Sequence, residues 1–265
     1  QADEYNQNNI RTDKKIGEGS FGEVHSGFLK SNGKKIAIKR VSKKKMYEKD
    51  FEYMKKAFFN ELDCMKKCNC ENSVYLYNFF ETQNNYNIIM ELCDGDLGQE
   101  LRKRPEGFNT DEVRYIFSQL NNAFKKMVEH NIIHRDLKLG NILIKYSDEA
   151  KTKFVPKLSD YGLSKELSDK SGITRTSLGT PATMAPEVTA KNIYNNKADL
   201  WSVGVLLYQL HFNEFPYKGR AASEIARNIK NQIPYKQAED FFLRDLINKL
   251  LVENPENRLS WEQYF

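Results

Sequence analysis

The sequence predicts an α+β fold that begins with a small antiparallel sheet and continues as a larger, mainly helical part. Short strand patterns separated by turn residues occupy much of the first 92 residues and indicate the sheet. Apolar stripes with steps of three and four residues indicate the helices. A chain of 265 residues is long enough for one large domain or for two lobes that share a cleft.

Four strands are predicted from short apolar runs and from the turns between them. Asn32 and Gly33 favour a tight hairpin turn, and Asn84 and Asn85 mark a second turn. The predicted strands cover residues 24–29, 36–39, 74–80 and 86–92. They complete a small antiparallel sheet.

Three segments carry helical patterns. Residues 51–68 have one apolar stripe, and Thr110 begins a second amphipathic helix with acids in its first turn. Residues 198–210 are apolar on nearly every face, so we expect a buried helix around which the larger part packs. Asp199 would then be a buried acid that needs partners.

The composition excludes a transmembrane helix and shows no signal peptide. No apolar run approaches the roughly 18 residues that a membrane span requires. The first nine residues are polar and acidic rather than basic and then apolar. We therefore expect a cytoplasmic location, with a nuclear one left open, and no membrane partner.

The basic residues and the cysteines each allow a ligand site, but a simpler interpretation is favoured for both. Residues 34–49 form a basic cluster in a chain of net charge +5, yet the cluster is interrupted by a strand pattern and lacks clustered aromatic residues. We favour a solvated face and expect no nucleic-acid partner. Cys64, Cys68 and Cys70 are close in sequence without a nearby histidine, and Cys93 stands apart, so we favour reduced thiols over a zinc site.

The strongest functional pattern is H-R-D-L-K-L-G-N at residues 134–141. It places Asp136, Lys138 and Asn141 close together, and Asp160 comes later in an Asp-Tyr-Gly segment. These groups suit phosphoryl transfer, in which a carboxylate orients a hydroxyl, an ammonium steadies the phosphoryl group, and an amide with a carboxylate holds Mg²⁺. The alternative is a charged surface turn.

A glycine-rich segment at residues 16–24 could lay backbone N–H groups over phosphates, because side chains there would block the approach. Its spacing alone also fits an ordinary glycine-rich turn. The more specific feature is the next part of the chain, a strand pair that ends in Ala37-Ile38-Lys39. Other phosphate-binding glycine loops lead straight into a helix.

Together these motifs resemble those of eukaryotic protein kinases and occur in the order of that family. The resemblance runs from about residue 16 to 265 and includes G-T-P-A-T-M-A-P-E at 179–187, which is similar to the end of an activation segment. It implies the bilobal kinase fold in one domain over residues 1–265, with a smaller lobe over 1–92, a larger lobe over 93–265 and a hinge at about 91–95. The motifs place the chain near calcium/calmodulin-dependent, Unc-51-like or polo-like kinases without choosing among them.

The resemblance also implies the site residues and the cofactors ATP and Mg²⁺. Asp136 would orient the acceptor hydroxyl and take its proton, and Lys138 would steady the γ-phosphoryl group. The implied catalytic set is Asp136, Lys138, Lys39, Glu61 and Thr180; the implied magnesium ligands are Asn141 and Asp160; and the implied ATP pocket is Ile16, Gly17, Gly19, Gly22, Val24, Ala37, Lys39, Met90, Glu91, Cys93, Asp96 and Leu143.

Several of these residues would have defined duties within the family. Lys39 would pair with Glu61, although most helix glutamates are simply solvated. Met90 would be the gatekeeper beside the adenine, and Asp96 would reach the ribose. The backbone of residues 91 and 93 would bond the adenine, and Leu143 would form the pocket floor. Two structural supports are also implied: Asp199 on the backbone of the catalytic loop, and Glu187 paired with Arg258.

Two residues depart from the family pattern. Tyr161 stands where phenylalanine is usual, so its hydroxyl must find a partner if the ring is buried. Thr183 replaces a tyrosine next to the substrate. The alternatives are a pseudokinase that signals by contact and an enzyme that phosphorylates a small molecule. Retention of the catalytic and metal residues argues against the first, and the activation-segment motif argues against the second.

Protein substrates are the implied partners, and Lys138 with Thr180 implies serine/threonine specificity. Gly140 stands where kinases of basic substrates often carry an acid, so we predict only a weak preference for arginine two residues before the acceptor. Asp96 would favour a basic residue one place further out.

Control of activity is predicted to involve the activation loop. Arg135 precedes Asp136, and in this family such an arginine is often an unpaired cation that a loop phosphate neutralises. We therefore predict phosphorylation at Thr176, with Ser177 as the second candidate, by an upstream kinase or by a second copy of the chain.

Overall fold

The computed structural model describes residues 2–18, 22–166, 180–190 and 194–265, and over these ranges it confirms the α+β class. The strands are β1 (Ile10–Glu18), β2 (Glu23–Leu29), β3 (Lys35–Ser42), β4 (Leu76–Glu81), β5 (Asn85–Glu91), β6 (Gly95–Asp96), β7 (Ile132–Ile133), β8 (Ile142–Tyr146), β9 (Phe154–Leu158) and β10 (Lys165–Glu166). The helices are α1 (Lys43–Lys49), α2 (Phe51–Lys67), α3 (Leu97–Arg102), α4 (Thr110–Glu129), α5 (Pro186–Thr189), α6 (Lys197–Phe212), α7 (Ala222–Lys230), α8 (Phe241–Leu250) and α9 (Trp261–Tyr264).

Five antiparallel strands form the sheet of the smaller lobe, in the order β1-β2-β3-β5-β4. Gly33 turns the chain between β2 and β3 with a φ of +72°, a left-handed conformation that glycine adopts without a Cβ clash. The pairing of β3 with β5 runs from Ile36↔Glu91 to Ser42↔Asn85, so β5 ends directly beside β3. All four predicted strands are present, with ends that differ by a few residues.

The strand β1 and the helix α1 were not predicted, because neither carries an apolar pattern. Strand β1 is polar and mostly exposed, and only its pairing with β2 makes it a strand. Helix α1 lies inside the basic cluster and buries Met46 while Tyr47 stays exposed, so it has no stripe. The hydroxyl of Ser42 caps this helix by accepting the N–H of Lys45 at 3.4 Å.

Helix α2 packs against the sheet with the predicted stripe. Asp50 caps its first turn, accepting the N–H of Tyr53 at 3.0 Å. Met54, Phe58 and Leu62 are buried, and this fixes which face of the helix points towards the sheet. Glu61, next to Leu62, is carried inward on the edge of the same face and is only 2% exposed.

Helices α4 and α6 are central to the larger lobe. Helix α4 begins at Thr110, as predicted, and Asn109 caps it: the Asn109 side chain accepts the N–H of Glu112 at 3.0 Å, and the Glu112 carboxylate accepts the N–H of Asn109 at 2.9 Å. Helix α6 is buried on nearly every side, as its continuous apolar sequence predicted. None of the helices in the described residues is both long and apolar enough to span a membrane.

The loop between α2 and β4 joins the smaller lobe to β9 of the larger lobe. The N–H of Val74 donates to the carbonyl of Leu158 at 2.9 Å, and the N–H of Leu158 donates to the carbonyl of Asn72 at 2.8 Å. Strand β9 pairs in turn with β8, with Leu143 opposite Lys157. This strand pair forms the floor of the region between the lobes.

Candidate active site

A cleft of about 620 Å³ lies between the sheet and the β8–β9 pair. Its apolar walls include Val24 and Ala37 from the sheet and Leu143 from β8. It brings together most of the predicted pocket: Ile16, Gly17, Val24, Ala37, Lys39, Met90, Glu91, Cys93, Asp96 and Leu143, with Glu61, Asn141 and Asp160 at its inner end. An apolar slot with a few convergent charges is typical of a site for a small molecule or a cofactor.

Lys39 forms the charged centre of the cleft's inner end. Its Nζ lies 2.5 Å from Glu61 Oε1 on α2 and 3.2 Å from Asp160 Oδ1. Burial disfavours the ammonium, but the carboxylates of Glu61 and Asp160 outweigh it and raise the pKa of Lys39. A cationic side chain with fixed partners is suited to binding phosphate oxygens.

Asp136 is the centre of a second network, formed by the loop after β7. Thr180 Oγ1 donates to Asp136 Oδ1 at 2.7 Å, and Asn141 Nδ2 donates to Asp136 Oδ2 at 3.0 Å. Lys138 Nζ lies 3.2 Å from Asp136 Oδ2 and donates to Thr180 Oγ1 at 3.2 Å. The four predicted side chains of this loop and of the activation segment are therefore brought into contact, with the carboxylate held in one orientation.

The donor atoms of Asn141 and Asp160 fit a magnesium ion. Asn141 Nδ2 also donates to the Asp136 carbonyl at 2.8 Å, which leaves its amide oxygen as the ligand atom. Asp160 is held in a left-handed conformation (φ +57°) beside Lys39, where it offers a carboxylate. An amide oxygen and a carboxylate are the hard oxygen ligands that Mg²⁺ prefers.

Asp199 supports the catalytic loop from below, as expected. Its two carboxylate oxygens accept the backbone N–H groups of His134 at 2.7 Å and Arg135 at 3.0 Å. The His134 ring is fully buried, and its Nε2 donates to the Ser159 carbonyl at 3.0 Å, just before Asp160. The buried acid of α6 therefore orients the loop that carries Asp136.

The predicted pair of Glu187 and Arg258 is present and bidentate. Arg258 Nη1 and Nη2 lie 2.7 and 2.9 Å from the two Glu187 oxygens, and the arginine also donates to the carbonyls of Val252 and Lys197 at 3.0 and 2.9 Å. Both side chains are buried. The pair ties the end of the activation segment to the last turn before α9.

Tyr161 is completely buried, and its hydroxyl has the partner that burial requires. Its oxygen lies 2.9 Å from Ser73 Oγ in the loop between α2 and β4, with the Cys68 thiol also in contact. Burial raises the pKa of Tyr161 well above its ordinary value, so the ring carries a neutral hydroxyl. The departure from phenylalanine therefore adds a link between the Asp160 segment and the smaller lobe.

Arg135 has a partner, contrary to the expectation of an unpaired cation. Its Nε donates to the carbonyl of Leu163 at 2.5 Å, which holds the start of the activation segment. Arg135 forms no direct ion pair with the described side chains, although the buried carboxylate of Asp199 interacts electrostatically with its charge. The Leu163 carbonyl satisfies one donor of the guanidinium but brings no formal negative charge to it.

Some residues of the predicted site have a structural role instead of, or in addition to, lining the cleft, and others lie outside the described residues. A Cβ at Gly22 would lie 2.3 Å from the Arg40 carbonyl oxygen, so Gly22 serves the approach of the hairpin to β3 and does not line the cleft. Asp96 lines the cleft but also caps α3, accepting the N–H of Gln99 at 2.9 Å. The candidates Gly19, Thr176 and Ser177 lie outside the described residues.

The cleft also contains residues that the motifs did not identify. These are chiefly Lys14, Ser26, Met65, Val74 and Gln99. Two of them had a usable signal, since Ser26 is two residues after Val24 on the same strand face and Met65 is one helical turn after Glu61. Nothing in the sequence marked Lys14, because it lies in the polar strand β1.

The matches of this chain to a family model and to known proteins indicate the same family. The family described as protein kinase domain matches residues 10–265. The putative serine/threonine-protein kinase R517/R518 of Acanthamoeba polyphaga mimivirus is 30% identical over 276 aligned positions, which cover 96% of this chain and 61% of that protein. Human serine/threonine-protein kinase Nek5 is 32% identical over 93% of this chain and 34% of its own length.

Serine/threonine-protein kinase atg1 of Dictyostelium discoideum is 31% identical over 96% of this chain and 38% of its own length. The chain thus spans about a third to three fifths of the length of these three relatives. The likeness concerns that matching part of each protein.

Proposed function

We propose that this chain, which belongs to the protein kinase domain family and to its serine/threonine type, transfers the γ-phosphoryl group of ATP to serine or threonine hydroxyls of protein substrates. The observation that carries the proposal is the arrangement of Asp136. Its carboxylate is fixed by Lys138, Asn141 and Thr180 at one side of a cleft whose inner end holds Lys39 with two acids. A base and a phosphate-binding cation are thereby present in one site.

The side chains of this site have complementary tasks in the proposed reaction. Asp136 orients the acceptor hydroxyl and accepts its proton; Oδ1 can do so while it is bonded to Thr180, because a carboxylate oxygen has two lone pairs. Lys138 stabilises the charge of the transferred phosphoryl group, and Lys39 binds the α- and β-phosphates. The carboxylate of Asp136 receives the proton, and no covalent intermediate forms. The rate enhancement therefore comes from the positioning of the reactants and from stabilisation of charge in the transition state.

Asn141 and Asp160 are the residues that would hold Mg²⁺. When bound there, the ion neutralises phosphate charge and orients the phosphates. The amide oxygen of Asn141 is available because its nitrogen is engaged by Asp136, which supports this assignment.

We also propose control through Thr176, with Ser177 as the second candidate. The support is Arg135, whose charge is not compensated by an ion pair in the described part of the chain and which already contacts the start of the activation segment at Leu163. A phosphate nearby would add charge-assisted hydrogen bonds of about 1.5–3 kcal/mol each. Mass spectrometry before and after incubation with ATP, together with Thr176→Ala, tests this; full activity of that variant with no loop phosphate would refute it.

Transfer of labelled phosphate from ATP to a generic basic protein is the test of the main proposal. The wild type should transfer label to serine or threonine in the presence of Mg²⁺, and Asp136→Asn should not. Nucleotide binding without transfer would instead indicate a pseudokinase, and transfer only to small molecules would indicate a different acceptor. The cytoplasmic location and the absence of nucleic-acid and membrane partners stay predictions.

A further inference from the structure

The carboxylate of Glu91 is held by two lysines of the larger lobe. Glu91 is the last residue of β5, at the predicted hinge, and its side chain is only 9% exposed. Its Oε1 lies 2.9 Å from Lys145 Nζ, and its Oε2 lies 3.1 Å from Lys157 Nζ. The family resemblance concerns the backbone of residue 91, so it leaves this side chain without a task.

The two lysines belong to the strand pair that forms the floor of the cleft. Lys157 in β9 is directly opposite Leu143 in β8, and Lys145 is two residues after Leu143, so all three side chains lie on the same face of the pair. Lys157 Nζ also donates to the carbonyl of Glu71 at 2.7 Å, in the loop between α2 and β4. One buried ammonium therefore connects the hinge, that loop and the strand that leads to Asp160.

The charges of the cluster keep it intact. Burial raises the pKa of Glu91, but the hydrogen bonds from Lys145 and Lys157 outweigh it and leave the pKa below its usual value. Glu91 in turn raises the pKa of Lys145. Because Glu91 and Lys157 are shielded from solvent, salt screens their attraction less than it screens a surface pair.

We propose that Glu91, Lys145 and Lys157, the hinge clamp, position the two surfaces between which the adenine of ATP is bound. This inference rests on the proposed use of ATP. The clamp fixes the hinge backbone against the strand pair that carries Leu143. The adenine slot is therefore preorganised, and binding costs less conformational entropy. These are positioning residues: they touch neither the acceptor nor the transferred phosphoryl group, so their loss should raise the KM for ATP and leave kcat nearly unchanged.

The lysines should act redundantly, which gives the test a distinctive pattern. After Lys145→Met, Lys157 still compensates Glu91, so we expect the Kd for ATP to rise by only about twofold to threefold, as for loss of a half-exposed ion pair. The double variant Lys145→Met/Lys157→Met leaves a carboxylate without a cation, and we expect a rise of about tenfold or more. Adding Glu91→Gln removes the uncompensated charge and should recover part of the affinity.

The experiment measures the Kd of a fluorescent ATP analogue with Mg²⁺ and, in parallel, KM for ATP and kcat. Lys153→Met is the matched control, because Lys153 is exposed in the turn between the same two strands and should leave all three values unchanged. Circular dichroism melts without nucleotide identify a variant that does not fold at the assay temperature. If the double variant is such a case, the triple variant and Lys145→Met carry the comparison.

The outcomes separate the clamp from the proposed function. A wild type that binds no nucleotide would remove the proposed function and the clamp with it. A double variant that binds ATP as tightly as the wild type would overturn the clamp alone. A fall in kcat at unchanged Kd would also overturn it. The clamp would likewise be overturned if the losses of ATP affinity in the lysine variants were additive and Glu91→Gln did not reduce them, because charge compensation would then not be the mechanism.

Discussion

Tyr161 and Ser73, whose side chains share a hydrogen bond, should show strong energetic coupling in a double-mutant cycle. Both groups are fully buried, and their oxygens are 2.9 Å apart. Tyr161→Phe leaves the Ser73 hydroxyl without this partner, which should lower the free energy of unfolding by about 1–3 kcal/mol. Ser73→Ala should cost less, near the lower end of that range, because the Cys68 thiol still contacts the tyrosine hydroxyl.

The double variant Tyr161→Phe/Ser73→Ala should be more stable than the sum of the single changes predicts. Replacing both partners by apolar groups removes the unsatisfied polar atoms, so we expect a loss of less than about 1 kcal/mol and a coupling of about 1–3 kcal/mol. Urea unfolding curves, monitored by circular dichroism and by the fluorescence of Trp201 and Trp261, give the four free energies. Costs that add to within about 0.5 kcal/mol would refute the reasoning.

Three further variants test the site and its support. Asp160→Ala should fold cooperatively but lose the stabilisation by ATP with Mg²⁺, about 2.7 kcal/mol at a ligand concentration of 100 times Kd; a melt that retains this shift would rule out the metal role. Gly140→Glu should fold normally, since a Cβ there meets nothing within 4 Å, and a peptide array should show new selection for arginine two residues before the acceptor; strong selection already in the wild type would contradict the prediction from Gly140. Arg258→Met should lower stability by about 3–5 kcal/mol in urea unfolding, because Glu187 stays buried without its cation, and a loss below about 1 kcal/mol would show that the pair is dispensable.

The charged residues of the site were predictable because their motifs depend on chemistry at fixed spacing. Asp136, Lys138 and Asn141 come from one short loop, and the structure brings them together as expected. The contact of Lys39 with Glu61 spans two elements and was expected from the family resemblance and from the edge of the α2 stripe. Periodicity therefore indicated the face of the helix, and the family resemblance indicated the partner.

Features that depend on contacts between distant segments could not be predicted from the sequence. The partner of the Tyr161 hydroxyl comes from a loop 88 residues earlier, and no local pattern marks Ser73 for that purpose. The polar strand β1 exists only because β2 supplies its hydrogen bonds. The sequence correctly indicated a cation beside the catalytic aspartate at Arg135. The expectation that this cation would have no partner was wrong, because the fold brings the Leu163 carbonyl to its Nε.

Gly22 affects how an alanine scan of the glycine-rich loop should be interpreted. At Gly17 an added methyl group would meet nothing within 4 Å, so a loss of activity there would report on the bound nucleotide itself. At Gly22 the same methyl group would clash with the Arg40 carbonyl and force the hairpin away from β3, even in the absence of a ligand. Equal losses at the two positions would therefore have different origins, and only the melting temperature of the ligand-free protein would tell a missing phosphate contact from a distorted sheet.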